Sequence, residues 1–203
     1  MAGAAVSILP IYIYNQSVLR KKAKPVRAAD RSLTTLAADM LETMHQASGI
    51  GLAANQVGSL QRIIVVDLSG MEDYPDARPL AMLNPEVVAE EGRLVMEEGC
   101  LSIPDIREEV ERAEKIRVRY HDLEFTPREI DADGLLARVI LHEIDHLNGV
   151  LFIDHIGAVK RKLLRGRLNK LDRGEVEVIY PVVTNDGEGV RHAPVHAGVV
   201  ARP

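Results

Sequence analysis

His142 and His146 lie four positions apart, and Glu143 directly follows the first of them. In an α-helix, side chains four apart emerge about 40° from each other, so both imidazoles can reach one metal ion. A glutamate at this second position can contact a metal-bound water without ligating the metal. The preceding residues 139–141 are apolar, which predicts a buried helix. Because buried polar groups without a partner are costly, a metal site is favoured over two structural histidines.

The helix does not supply the third ligand that such a site needs. A third histidine six residues after His146 would complete one class of zinc protease, but Phe152 stands there. Cys100 is the single cysteine, and it follows Gly99 in a segment ending at Pro104, where the backbone can be shaped around a ligand. A thiolate with two histidines is a credible catalytic set that leaves a fourth position open. The alternative for Cys100 is a buried, inert thiol.

A third segment, GIGLAANQVG at residues 49–58, has glycines that let a bound chain approach the backbone closely. Its Gln56 offers a neutral side-chain donor. Taken alone, this segment is a weak signal.

The elements that must position these segments follow from hydrophobic periodicity and turn residues. Helices are predicted over residues 29–46, 135–148 and 157–171. Strands are predicted over residues 62–68, 80–88, 115–123 and 127–133, with a further strand possible in 176–183. The proline in the second strand indicates an edge or a bend. The expected fold is α+β, with antiparallel strands packed around a central metal-binding helix and a second, C-terminal helix.

The composition of the chain narrows the classes of protein to which it could belong. The chain has 203 residues, 46% of them hydrophobic but only 3% aromatic, which predicts an aliphatic core. We expect a catalytic domain over residues 1–174 and a C-terminal extension over 175–203 with a strand and then a loose tail. The net charge of −5 argues against a nucleic-acid binder. No apolar run has the length of a membrane span and the N-terminus lacks a secretory pattern, so a cytoplasmic location without membrane contact is predicted.

The three segments together resemble the peptide deformylase family, which carries the motifs G-x-G-L-A-A-x-Q, E-G-C-L-S and H-E-x-D-H in this order. Here they read GIGLAANQ (49–56), EGCLS (98–102) and HEIDH (142–146). The resemblance extends over roughly residues 8–172. It departs at Leu141, where the family commonly has glutamine, and nothing matches beyond about residue 174.

The resemblance implies one divalent metal, with iron(II) the expected ion and zinc or nickel possible substitutes. The implied metal ligands are Cys100, His142 and His146. The resemblance further implies that the bound metal would lower the pKa of a water molecule. Glu143 would take the proton and pass it to the departing amine, and Gln56 with the Leu101 N–H would stabilise the oxyanion. The implied substrate is the N-formyl-methionyl end of a newly made polypeptide, and formate is released.

The bound peptide is expected to lie extended along Ile50, Gly51 and Gly99 as an added strand. The wall of the methionine pocket is expected to include Ile50, Val139 and His142. Arg138 is expected either at the pocket rim or, with more weight, in a solvated salt bridge. Asp145 is expected to orient a ligand or to pair with an arginine such as Arg112.

Two rival functions stay open on the sequence. A zinc endopeptidase would need a third ligand other than Cys100, and a non-catalytic metal site would need a fourth protein ligand. His192 and His196 are also four apart, but Pro194 between them excludes helical spacing, so they are interpreted as tail residues. The basic run at residues 160–167 is interpreted as a solvated helix face, with a weak ribosome contact as the less favoured alternative.

Overall fold

The structure is a computed structural model that describes residues 6–185 and 190–191. Its α-helices are α1 (Arg31–Gln46), α2 (Gly134–Leu147) and α3 (Ala158–Asp172). Short 3-10 helices occur at Ser17–Arg20, Ala54–Val57 and Phe152–Asp154. The three predicted helices are confirmed to within two residues at each end. Asp30 caps the first of them, since its carboxylate accepts the Leu33 N–H at 3.0 Å.

Within residues 6–185 and 190–191, the strands form three sheets. The strands are β1 (Ile11–Tyr12), β2 (Gly51–Ala53), β3 (Ile63–Val66), β4 (Leu80–Glu91), β5 (Leu94–Cys100), β6 (Ile103–Arg112), β7 (Lys115–His121), β8 (Pro127–Asp133), β9 (Val182–Val183) and β10 (Val190–Arg191). The largest sheet is antiparallel in the order β2-β3-β4-β7-β8. The hairpin β5-β6 is a separate sheet, and β1 pairs in parallel with β9 in the third. The α+β prediction is confirmed.

Strand β4 differs from its prediction. It lies inside the large sheet, between β3 and β7, rather than at an edge. Pro85 is accommodated because the pairing with β7 is irregular between Leu83 and Glu86, which spares it a ladder hydrogen bond. The preceding Asn84 has a φ of 53°, and its side chain bonds both the N–H and the C=O of Val26 at 2.8 Å. The predicted bend is therefore present, whereas the predicted edge position is wrong.

The core has two parts that share strand β3. Ile63 and Val65 belong to a cluster with α1, α3, β1 and β9, whereas Ile64 and Val66 belong to a cluster with α2. A strand buried on both faces has apolar residues at every position, which explains the unbroken IIVV run. Helix α2 packs against β2, β3 and β8, so its metal-site motif lies inside the molecule.

Just after the end of α2, the backbone of Gly149 packs closely against the backbone of Arg20. Gly149, just after the helix, has a φ of 77°, and a Cβ there would lie 2.6 Å from the Arg20 carbonyl oxygen. Only glycine adopts this conformation in that space at low cost. In the described part of the chain, no helix combines the length and the apolar character needed to cross a bilayer.

Candidate active site

Helix α2 and the end of strand β5 bring three potential metal ligands together. The Nε2 atoms of His142 and His146 are 3.2 Å apart, and the Cys100 Sγ lies 3.2 Å from the His146 Nε2. One ligand atom from each of the three residues lies within 4.8 Å of the other two. Both histidines are buried and the cysteine is half-buried. Cys100 and the two histidines come from separate segments of the sequence, and the fold places them at one point.

The chemistry of this cluster fits a divalent metal. Burial and the nearby His142 lower the pKa of His146 well below its usual value, which leaves a neutral imidazole, the form that ligates metals. Burial opposes protonation of His142, but hydrogen bonds to Cys100 and Glu98 outweigh burial and raise its pKa. A positive charge among these groups is therefore favoured. Two imidazoles and a thiolate suit zinc, iron or nickel better than calcium or magnesium.

Glu143 lies beside the cluster and does not belong to it. Burial is the main cause that raises its pKa to about 7. Its Oε2 atom is buried and has no hydrogen-bond partner within the described residues. A Cβ on Gly51 would lie 2.6 Å from its Oε1 atom, so glycine at position 51 leaves this carboxylate its space. Glu143 can therefore hold or release a proton near neutral pH in a protected position.

Glu98 fixes the orientation of His142. Its Oε2 atom is 2.8 Å from the Nδ1 of His142, which directs the Nε2 of that ring towards the other ligands. Its Oε1 atom accepts from the Arg112 Nε at 2.5 Å and from Arg138 at 2.7 Å. Although burial opposes ionisation, hydrogen bonds from His142 and Arg112 hold the pKa of Glu98 well below its usual range. The motif contains Glu98, but sequence reasoning assigned it no role.

Arg138 corrects one prediction. Its side chain is 4% exposed, pairs with the buried Glu98, and donates to the carbonyl oxygens of Val110 and Leu94. It lines the cleft described below, but the predicted solvated salt bridge is wrong, because this guanidinium is enclosed. The apolar neighbours of Arg138 in the sequence gave the only sign that its position is buried.

Asp145 connects Arg112, the partner of Glu98, to His155 at the surface. Its Oδ2 atom lies 2.6 Å from a terminal nitrogen of Arg112 and 2.7 Å from the Nε2 of His155. The predicted pairing of Asp145 with Arg112 is confirmed. His155 is the exposed outer member of this group of ion pairs.

Gln56 lies on the 3-10 helix Ala54–Val57, and its amide has a fixed orientation. Its Oε1 atom accepts the Ala53 N–H at 2.8 Å. Its Nε2 atom therefore faces the site, at 3.6 Å from the Cys100 Sγ and 3.2 Å from the Ser102 Oγ. The adjacent Asn55 donates a hydrogen bond to the His146 carbonyl, which connects this 3-10 helix to α2.

A cleft of about 690 Å³ opens over these groups. Its lining includes the four residues predicted to bind substrate, Ile50, Gly51, Gly99 and Val139. Residues 177–180 of the C-terminal extension also line it, and sequence reasoning did not associate them with the site. His192 and His196 lie outside the described residues.

Comparison with known proteins assigns the family. The model of the polypeptide deformylase family matches residues 8–162. The chain belongs to this family. Peptide deformylase from Salinibacter ruber is 49% identical over 191 residues, covering 90% of this chain and 98% of that protein. A peptide deformylase of Chlorobium phaeobacteroides is 49% identical over 175 residues, covering 86% and 93%.

Solved deformylase structures share the fold. Peptide deformylase from Legionella pneumophila superposes with a TM-score of 0.75 at 42% identity, covering 84% of this chain and 98% of that one. The enzyme from Thermus thermophilus gives a TM-score of 0.72 at 43% identity, covering 80% and 96%. The chain is therefore a metal-dependent peptide deformylase that removes the N-formyl group from newly made polypeptides.

Proposed function

We propose that Cys100, His142 and His146 bind the catalytic metal and that the surrounding side chains carry out deformylation. The observation that carries this proposal is the convergence of their Sγ and Nε2 atoms under the cleft. When bound, the metal polarises a water molecule and the formyl carbonyl. Glu98 keeps the His142 ring oriented by its 2.8 Å hydrogen bond.

Glu143 acts as general base and then as general acid. Its carboxylate accepts a proton from the attacking water and delivers it to the departing amine. A group with a pKa of about 7 can perform both transfers with little free-energy cost near neutral pH. The unpartnered Oε2 atom leaves one oxygen free to receive this proton.

Gln56 and Leu101 stabilise the negative charge that develops on the formyl oxygen. The Gln56 amide oxygen is occupied by the Ala53 N–H, which leaves the amide N–H groups directed to the site. The Leu101 N–H follows Cys100 in the chain, and it donates no hydrogen bond within the described part of the structure. Donors fixed in advance stabilise an oxyanion without reorganisation during the reaction.

The peptide binds extended in the cleft. Backbone groups of Ile50, Gly51 and Gly99 offer it the edge of a strand, and Val139 contributes to the wall of the methionine pocket. Gly51 is required there, because a Cβ at this position would lie 2.6 Å from the Val139 Cγ1. We further propose that the free enzyme acts in the cytoplasm.

Selectivity for formyl over acetyl groups tests this function. An acetyl group adds a methyl where Cys100, Leu101 and Gln56 converge, and overpacking of a rigid site costs about 1–3 kcal/mol. The acetyl carbonyl is also less electrophilic. We expect kcat/KM for formyl-Met-Ala to exceed that for acetyl-Met-Ala by at least about 10²-fold, since each factor of ten corresponds to about 1.4 kcal/mol.

The same assay includes an internal peptide bond, measured by release of a new amine. Equal rates on formyl and acetyl substrates, or cleavage of the internal bond, would favour an endopeptidase. Failure to release formate despite a full complement of metal would favour a closed, non-catalytic metal site.

We propose iron(II) as the native metal, with zinc or nickel as substitutes. Iron and the thiolate of Cys100 are both open to oxidation. The iron-loaded enzyme is expected to lose activity in air faster than the nickel-loaded enzyme. Activity is followed over time with metal content and thiol titration in parallel, and anaerobic samples serve as controls. Equal lifetimes in air would contradict iron chemistry at this site.

We propose two further features of the C-terminal part of the chain. Residues 1–174 form the catalytic domain, and residues 175–203 form an extension after Gly174, whose φ of 75° terminates α3. Helix α3 presents basic side chains to solvent and buries mainly Leu164, Leu168 and Leu171. A weak contact with the ribosome through this basic face suits an enzyme of nascent chains, although the net charge of −5 opposes strong binding.

A further inference from the structure

The start of the C-terminal extension returns to the active site. Beyond α3, the chain lies along the cleft at residues 177–180, and then forms strand β9. Tyr180 is the buried residue of this stretch, at 6% exposure, whereas its neighbour Ile179 is 78% exposed. The Tyr180 hydroxyl donates a 2.9 Å hydrogen bond to the Leu101 carbonyl oxygen.

Leu101 and Ser102 form the turn between strands β5 and β6. This turn follows Cys100, the proposed thiolate ligand, and it supplies the Leu101 N–H. Both of its backbone carbonyls accept hydrogen bonds from distant segments. Tyr180 binds the Leu101 carbonyl, and the backbone N–H of Tyr14 donates to the Ser102 carbonyl at 2.8 Å. The turn is therefore held by two segments that lie far apart in the sequence.

The two anchoring segments also fix each other. Strand β1 runs parallel to β9, and the Ile11 N–H donates to the Pro181 carbonyl at 2.9 Å. The Ile13 N–H donates to the Val183 carbonyl at 3.0 Å. Tyr180 precedes the first of these bonds by one residue. The backbone next to Tyr180 is therefore held in place. As a result, the position of the Tyr180 hydroxyl relative to the turn is restricted.

We propose that Tyr180 is a positioning residue of the deformylase reaction, acting by holding Leu101 so that its N–H faces the developing oxyanion. The inference rests on the proposed role of the Leu101 N–H. The Leu101 carbonyl lies in the peptide plane that leads to Ser102, whereas the Leu101 N–H lies in the preceding plane. The Tyr180 bond holds the first of these planes. It thereby limits the rotations about φ and ψ of Leu101 that would turn the N–H away. A donor that is held before the reaction is worth more than one that must be ordered during it.

The phenol of Tyr180 keeps its proton near neutral pH. Burial is the main cause that raises the pKa of Tyr180 above its usual value, and the nearby Cys100 and Asp105 add to it. The hydroxyl is therefore available as a donor to the carbonyl.

The variant Tyr180→Phe removes the hydroxyl and keeps the ring. In nickel-loaded enzyme, kcat for formyl-Met-Ala is expected to fall about three- to tenfold, in line with the loss of one hydrogen bond. KM is expected to stay within about twofold, because the oxyanion forms only in the transition state. Tyr14→Phe is the matched control, because it removes a phenol from the opposite anchor but leaves its backbone N–H in place.

Carbon-13 NMR of the Leu101 carbonyl provides a readout that does not depend on turnover. Its chemical shift is expected to move in Tyr180→Phe and to stay unchanged in Tyr14→Phe. Metal content and circular dichroism are measured for both variants, and kinetics are compared at a temperature where all three proteins are folded. A retained kcat in Tyr180→Phe, or an unmoved carbonyl shift, would overturn the proposal.

Two reference measurements separate this inference from the proposed function. A wild-type protein that releases no formate contradicts the proposed function, whatever Tyr180 does. Wild-type activity with a loss of turnover in Gln56→Ala supports the oxyanion site, and an unchanged Tyr180→Phe then contradicts only the role of Tyr180. A loss of metal in Tyr180→Phe would contradict it as well, since the hydroxyl would then support the ligand Cys100 rather than Leu101.

Discussion

Replacing Glu143 with glutamine is expected to lower kcat by about 10²- to 10⁴-fold while the metal content stays unchanged. The amide has nearly the same size, but it cannot accept a proton, so both proposed proton transfers lose their carrier. Because Glu143 is not among the converging ligand atoms, metal binding is expected to persist. The measurement combines formate release with elemental analysis of the same sample.

Glu97→Gln is the control for this experiment. Glu97 also lines the cleft, but its side chain is 61% exposed and lies 3.5 Å from Arg107. An exposed pair of this kind contributes little to stability, and its loss is expected to leave kcat within about twofold. Near-normal turnover in metal-loaded Glu143→Gln would refute the role of Glu143.

Replacing Glu98 with glutamine is expected to destabilise the fold and to weaken metal binding together. The carboxylate is buried between the guanidinium groups of Arg112 and Arg138 and the ring of His142. Removing one partner of a buried ionic network leaves the remaining charges uncompensated, which costs about 3–5 kcal/mol. Loss of the carboxylate that orients a ligating histidine typically lowers metal affinity by about 10- to 100-fold.

Urea unfolding of metal-free protein measures the first effect, and competition with a chelator measures the second. Glu109→Gln is the matched control, because Glu109 lies on the neighbouring strand β6 and is 71% exposed. The control is expected to change the free energy of unfolding by less than about 1 kcal/mol. Wild-type stability and affinity in Glu98→Gln would show that the network is not needed.

The parts of the site that could be predicted are those with a local signal. The spacing of His142 and His146 predicts directly that they share one face of a helix, and their apolar neighbours in the sequence predict that this helix is buried. The role of Glu98 could not be obtained in this way. Its partners Arg112 and His142 come from a strand and a helix 14 and 44 residues away, and their approach depends on how the hairpin packs against α2.

The fold shows the same division. Helices and alternating strands such as β7 and β8 were predictable, because each has its own periodicity. The hairpin β5-β6 was missed, because charged residues occupy much of it and obscure the alternation. The short strand β9 was only partly predicted. Its two residues are defined by pairing with β1, about 170 positions earlier, and no local pattern reports such a partner.

The pairing of β1 with β9 has a consequence for how this enzyme is made. A ribosome produces strand β1 about 170 residues before strand β9, so β1 stays without this partner until β9 has emerged. Contacts between such distant positions form late, because closing the long loop between them costs conformational entropy before the contacts stabilise the fold. The turn that carries Leu101 receives its Tyr180 bond only at this stage. A chain synthesised only to the end of α3 therefore contains all three proposed metal ligands, but it lacks the Tyr180 bond that holds the turn beside them.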